Sequence, residues 1–167
     1  MTNIEEIINQ AEDLRNGGKL TEAEELVRRT VDTHPDEPSL WTQLGHIHLA
    51  KSELSDAEAA FLRVTILTPD VFWSWMHLGY AQKELGNLED AIANTITAQT
   101  LSSTKQEEGL FSYNMACYLN LQGRRDEAMK YLRVAVEGDE VLWFWAQQDE
   151  DLISLHEDEE FIKLVLS

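Results

Sequence analysis

The chain has 167 residues, enough for one compact domain or a short array of stacked units, and a hydrophobic content of 43% excludes disorder as the starting point. Acidic residues outnumber basic ones 31 to 13, for a formal net charge of −18. Such a surface repels nucleic acid and anionic membranes and attracts a basic partner, while the single cysteine, Cys117, excludes an internal disulfide and a Cys-rich zinc site.

The opening "MTNIEEIINQ" is acidic and amphipathic, unlike a secretory leader, and no apolar run reaches the roughly 18–20 residues that span a bilayer. The expectation is a soluble, cytoplasmic protein without membrane insertion. Helical periodicity then runs through the chain. A first helix pair is predicted over about 4–37, with Ile7, Gln10 and Ala11 on one face, Gly18 at the turn, and Leu20 and Ala23 on the return helix. A second occupies about 38–71. Trp41, Leu44 and His48 recur at spacings of three and four, "KSEL" makes the turn, and Ala57, Phe61 and Val64 face back before Pro69 stops the helix. Ser52 stands where the other turns have glycine, so that turn is expected to be tight or slightly strained.

The third pair, about 72–105, repeats the second: Trp75 falls 34 residues after Trp41, Leu78-Gly79 after Leu44-Gly45, and Ala91 after Ala57. A fourth, about 109–140, follows a three-residue insertion and keeps Ala116, Gly123, Ala128 and Ala135. Glu22, Asp56, Asp90 and Glu127 begin the return helices, where negative charge complements the helix dipole. The tail 141–167 is not a fifth copy. Leu152, Leu155, Phe161, Ile162 and Val165 predict one or two short amphipathic helices that cap the array, with Glu157 to Glu160 as the polar outer face. Of Trp143, Phe144 and Trp145, two are expected to pack the cap and one to lie exposed.

"WTQLGHIH…AEAAFLRVTILTP" and "WMHLGYAQKELGNLEDAIANTITA" resemble the tetratricopeptide repeat family, which pairs Trp, Leu-Gly and Tyr on a first helix with Ala, an aromatic and Pro on the second. The resemblance covers about residues 3–140 and implies an all-α, right-handed solenoid of about four helix-turn-helix repeats with a concave wall built from the first helices. It places Trp75 in the repeat's own core tryptophan position. Trp73, two residues earlier, points to the concave groove instead.

Carried through the repeats, the same resemblance lines that groove with Asn9, Gln43, His77 and Asn114, a polar ladder suited to the backbone of an extended peptide. Beside it run Glu12, His46, Tyr80 and Cys117, then Met76 and Tyr113, with Trp73, Tyr80 and Tyr113 as anchors. Only Arg15 and Lys83 bring positive charge, so the clamp that chaperone-binding members use for a C-terminal carboxylate is not reproduced. His46 and His77 are expected to approach each other across neighbouring repeats. Without a ligand spacing they imply no metal, but a groove that weakens below about pH 6.5.

No phosphate loop, nucleophile elbow or other catalytic motif is present, and the acidic clusters "EDEEF" and "QQDEDL" read as solvated helix ends. The expectation is a non-enzymatic scaffold or adaptor that binds a protein or peptide partner, with no cofactor and no metal. The alternative is a dedicated chaperone of a secreted client, like those of type III secretion translocators. Self-association through exposed tryptophans is compatible with either.

Overall fold

The computed structural model describes residues 3–138 and 140–165, and among these residues every regular element is helical. The chain divides into two compact units, Met1–Leu85 and Gly86–Ser167. The first holds α1 (Ile4–Asn16), α2 (Leu20–Val31), α3 (Pro38–Ala50), α4 (Leu54–Leu67) and α5 (Phe72–Glu84). The second holds α6 (Leu88–Gln99), α7 (Lys105–Leu121), α8 (Arg125–Gly138), α9 (Glu140–Ala146), a 3-10 helix (Glu150–Leu155) and α10 (Glu159–Val165). The fold class is all-α, as the periodicity requires.

The helices begin and end where the sequence supplies caps. Asn3 accepts from the Glu6 N–H at the start of α1, Pro38 occupies the first turn of α3, and Thr104 and Glu107 form a reciprocal capping box on α7. One geometry recurs at the helix ends. After α1, α3 and α7 the residue past the cap is left-handed, and the next N–H reaches back five residues: Lys19 to the Leu14 carbonyl, Glu53 to His48, Arg124 to Leu119. Gly18 and Gly123 adopt this conformation freely, whereas Ser52 is forced into it at φ +60°. The turn expected to be strained at Ser52 is so.

In the first unit, one core gathers Ala11, Ala23, Val27, Leu40, Leu44 and Ile47, and a second gathers Ala57, Phe61, Leu78 and Ala81. Small residues let the helices approach. A Cβ at Gly45 would overlap the Phe61 ring. In the second unit, Ala116, Met129 and Leu132 pack with Leu142, Leu152, Leu155, Phe161 and Val165 from the tail. His48 is buried in the first unit, on the helix face it shares with Trp41 and Leu44.

Three expectations need correction. Trp75 and Trp41 are half-buried rather than core, because each indole N–H reaches out 2.8 Å to a proline carbonyl, Pro69 and Pro35 respectively. Of Trp143, Phe144 and Trp145 only Trp143 packs on the core, leaving Phe144 and Trp145 both exposed. The acidic stretch after it is not simply solvated: Asp158 and Glu160 turn back onto α8, where Arg125 meets Asp158 at 2.6 Å and Arg133 meets Glu160 at 2.7 Å.

Candidate functional site

On α5, Trp73, His77 and Tyr80 follow one another at spacings of four and three and so share a helix face. Trp73 is 44% exposed and Tyr80 43% exposed. Between them His77 is half-buried, 6.0 Å from the Trp73 ring and stacked on Phe61 at 5.2 Å. His46, on α3, meets His77 edge-on with ring centroids 4.8 Å apart. The approach of the two histidines expected from the sequence is thus observed within the first unit.

Burial first, then the charge of Arg15, lowers the His46 pKa to about 4; burial and then His46 lower that of His77 to about 4. This overturns the expected titration at about pH 6.5. Both rings are neutral there, since charging either would strand a cation among Phe61 and its partner ring.

Beside the histidines, the Gln43 amide donates to the Glu12 carboxylate at 2.8 Å. Its own oxygen is buried without a hydrogen-bond partner, and so is Nε of Arg15. Lys83 sits with its ammonium 4.8 Å from the Tyr80 ring centroid and 2.6 Å from Glu84, so its charge is already paired.

The expected groove residues therefore separate by exposure. Asn9, Trp73 and Tyr80 are exposed; Glu12, His46, His77 and Asn114 are half-buried. Gln43, Met76, Tyr113 and Cys117 are buried, against the expectation that they line an open surface. The reasons are local. Met76 lies one turn from the buried Phe72 and shares its face. Gln43 sits between Leu40 and Ile47 on the buried side of α3. Tyr113 and Cys117, one turn apart on α7, are both drawn to Asp149, which accepts from the phenol at 2.7 Å and from the thiol at 3.7 Å. Asn114 donates to the Tyr118 hydroxyl at 3.4 Å rather than standing free.

Asp149 was not singled out by the sequence, where it lies in a cluster read as a solvated helix end. It stands 36 residues from Tyr113, and no local signal joins them. Its other oxygen accepts from the Asp151 N–H and begins the 3-10 helix. Burial, with the neighbouring thiol and Asp149 adding to it, pushes the Tyr113 phenol up, so it remains a donor at any ordinary pH.

Among the described residues two donor sets lie close enough to suit a metal by distance: Glu24, His48 and Glu53, and Cys117, Asp149 and Asp151. The first is an ion-pair network, with Lys51 bridging Glu24 at 2.6 Å and Glu53 at 2.7 Å. Lys51, with Arg28 beside it, lowers the Glu24 pKa to about 2. In the second, Asp149 is already engaged by Tyr113.

Among the described residues no helix is long and apolar enough to cross a membrane. Residues 8–72 and 43–100 match the family described as tetratricopeptide repeat. No curated protein sequence matches the chain. Among solved structures it is similar to TTC0263, a thermophilic tetratricopeptide repeat protein of Thermus thermophilus, at 18% identity and TM-score 0.75, over 97% of this chain and 86% of that one. It is also similar to MamA, at 14% identity and TM-score 0.73 over 93% and 88%. A third likeness is to YrrB, "a TPR protein with an unusual peptide-binding site", at 16% identity and TM-score 0.68 over 95% and 84%.

Proposed function

The chain belongs to the tetratricopeptide repeat family, and from that premise we propose that it is a non-enzymatic interaction module that holds an extended peptide segment of a partner protein. The observation that carries this reading is the exposed pair Trp73 and Tyr80 on one face of α5, flanking His77. Two large aromatics more than two-fifths exposed on one helix face are the kind of side chain that anchors peptides best. Asn9 and the half-buried Glu12 and His46 are the polar groups proposed to accompany them in the first unit. In this reading the repeats run over about 4–37, 38–71, 72–105 and 109–140, with 141–167 as the cap.

The similarity to YrrB, whose description names a peptide-binding site, supports a peptide as the ligand class. The net charge of −18 favours a basic segment. Scaffold or adaptor in the cytoplasm is the role proposed. The test is photo-crosslinking in cells with p-benzoylphenylalanine in place of Tyr80, compared with the same group in place of Leu62, an exposed residue on α4. Partner peptides captured from Tyr80 and not from Leu62 support the reading; equal capture from both overturns it. Several partners support an adaptor, and one secreted client instead favours the dedicated chaperone.

A further inference from the structure

The second unit carries an independent feature. Phe144 is 55% exposed and Trp145 47% exposed at the end of α9, whereas their neighbour Trp143 packs on the core. Together with Tyr113, Gln148 and Asp149 they bound a shallow cavity of about 240 Å³. The Trp145 and Tyr113 rings meet edge to face, 6.0 Å apart with 77° between their planes. We propose that this cavity receives a single arginine side chain from a basic partner segment.

Three arguments lead to that occupant. Three aromatic side chains line the cavity, and the negative faces of aromatic rings attract a cation. The one ionisable group on the lining besides the Tyr113 phenol is the Asp149 carboxylate, and among the described residues no Lys or Arg lines the cavity to neutralise it. A carboxylate offers about four acceptor positions. The Tyr113 phenol, the Asp151 N–H and the Cys117 thiol occupy three, leaving capacity for one more donor.

Size and shape select among cations. Small-molecule and cofactor sites enclose roughly 300–1,000 Å³, so a cavity of about 240 Å³ suits one side chain rather than a cofactor. A guanidinium is planar, stacks on aromatic faces and directs donors in its own plane, which matches rings beside a carboxylate and an amide better than a compact ammonium does. The inference takes from the peptide-partner reading only the source of the arginine. The cavity lies wholly within the second unit, so its failure leaves the α5 surface untouched.

The test uses the full chain labelled with 5-fluorotryptophan, whose five tryptophans report separately by fluorine NMR. Trp145→Phe assigns the resonance at the cavity. N-acetyl-arginine methylamide should shift the Trp145 signal saturably, and the neutral isostere N-acetyl-citrulline methylamide should bind about tenfold more weakly or not at all. Phe144→Ala, at an exposed position, should leave the melting temperature unchanged and weaken arginine binding about threefold. Added salt should weaken it further. Equal responses to arginine and citrulline, a response confined to Trp73, or undiminished binding in folded Phe144→Ala would each overturn the proposal.

Discussion

His46 on α3 and His77 on α5 meet with ring centroids 4.8 Å apart, and both lean on the buried Phe61 ring, at 5.3 Å and 5.2 Å. Charging either ring would place a poorly hydrated cation beside the other ring, and for His46 also near the Arg15 charge. The folded pKa is therefore about 4 for each, below the ordinary value of 6.5.

That depression sets a pH window. Between pH 6.5 and about 4 the unfolded chain binds more protons than the folded one, so stability falls as the solution is acidified and this contribution is complete above pH 6.5. One pKa unit corresponds to about 1.4 kcal/mol, and each ring is expected to account for a loss of roughly 3 kcal/mol across the window. Urea unfolding at pH 7, 5.5 and 4.5 measures it. The double substitution His46→Gln with His77→Gln should flatten the decline relative to the parent. Parallel curves for the two proteins would mean the rings are not the source.

Trp73 and Trp75 should separate folding from binding. Trp73 is 44% exposed, so Trp73→Ala is expected to change stability by less than about 0.5 kcal/mol. Trp75 is half-buried against the Phe61 cluster and donates to the Pro69 carbonyl at 2.8 Å. Trp75→Ala should cost about 3 kcal/mol from lost packing and a lost hydrogen bond. In a partner titration the order reverses, with Trp73→Ala losing about 2 kcal/mol of affinity. Thermal melts that fall equally in both variants would assign Trp73 to the core and remove it from the binding surface.

The fold was legible because its signals are local and repeated. Ala11, Ala23, Ala57, Ala91 and Ala128 are all fully buried, and the positive-φ turns fall at Gly18, Ser52, Gly86 and Gly123 as the register required. The candidate site was legible only where helix spacing alone decides the face, as for Trp73 and Tyr80. Met76 and Gln43 were misread because a position's offset within the repeat does not reveal which neighbouring side chain it meets. Asp149 was invisible for a different reason. Its partner Tyr113 lies 36 residues away, and an acidic residue among "QQDED" carries no mark distinguishing it from a solvated one.

The tail is expected to be indispensable to the second unit. Leu142, Leu152, Leu155, Phe161 and Val165 complete the core formed with Ala116, Met129 and Leu132. Arg125 and Arg133 fasten α10 to α8 through Asp158 and Glu160, but these pairs keep part of their surface in solvent and orient the tail more than they stabilise it. Phe161→Ala should cost about 3–5 kcal/mol, and removal of 141–167 should give an aggregating protein. A soluble truncation with a cooperative melt at the parent temperature would show that the tail does not cap the core.

The last expectation tests the two backbone positions that the α3–α4 hairpin depends on. Ser52 holds the left-handed conformation, φ +60°, that Gly18 holds at +75° and Gly123 at +74°. A Cβ in that region costs roughly 1–2 kcal/mol, while glycine loses more freedom on folding. Ser52→Gly should thus stabilise by a net amount of about 0.5–1 kcal/mol. Gly45 presents the opposite case. It is buried in mid-helix, where alanine is ordinarily favoured, but a Cβ there would overlap Phe61, and that ring is held between His46 and His77. It has little room to yield, so Gly45→Ala should cost about 1–3 kcal/mol as an overpacked core does. Urea midpoints for the two single variants decide both points. A stabilised Gly45→Ala would show that Phe61 gives way and that the histidine pair does not hold it.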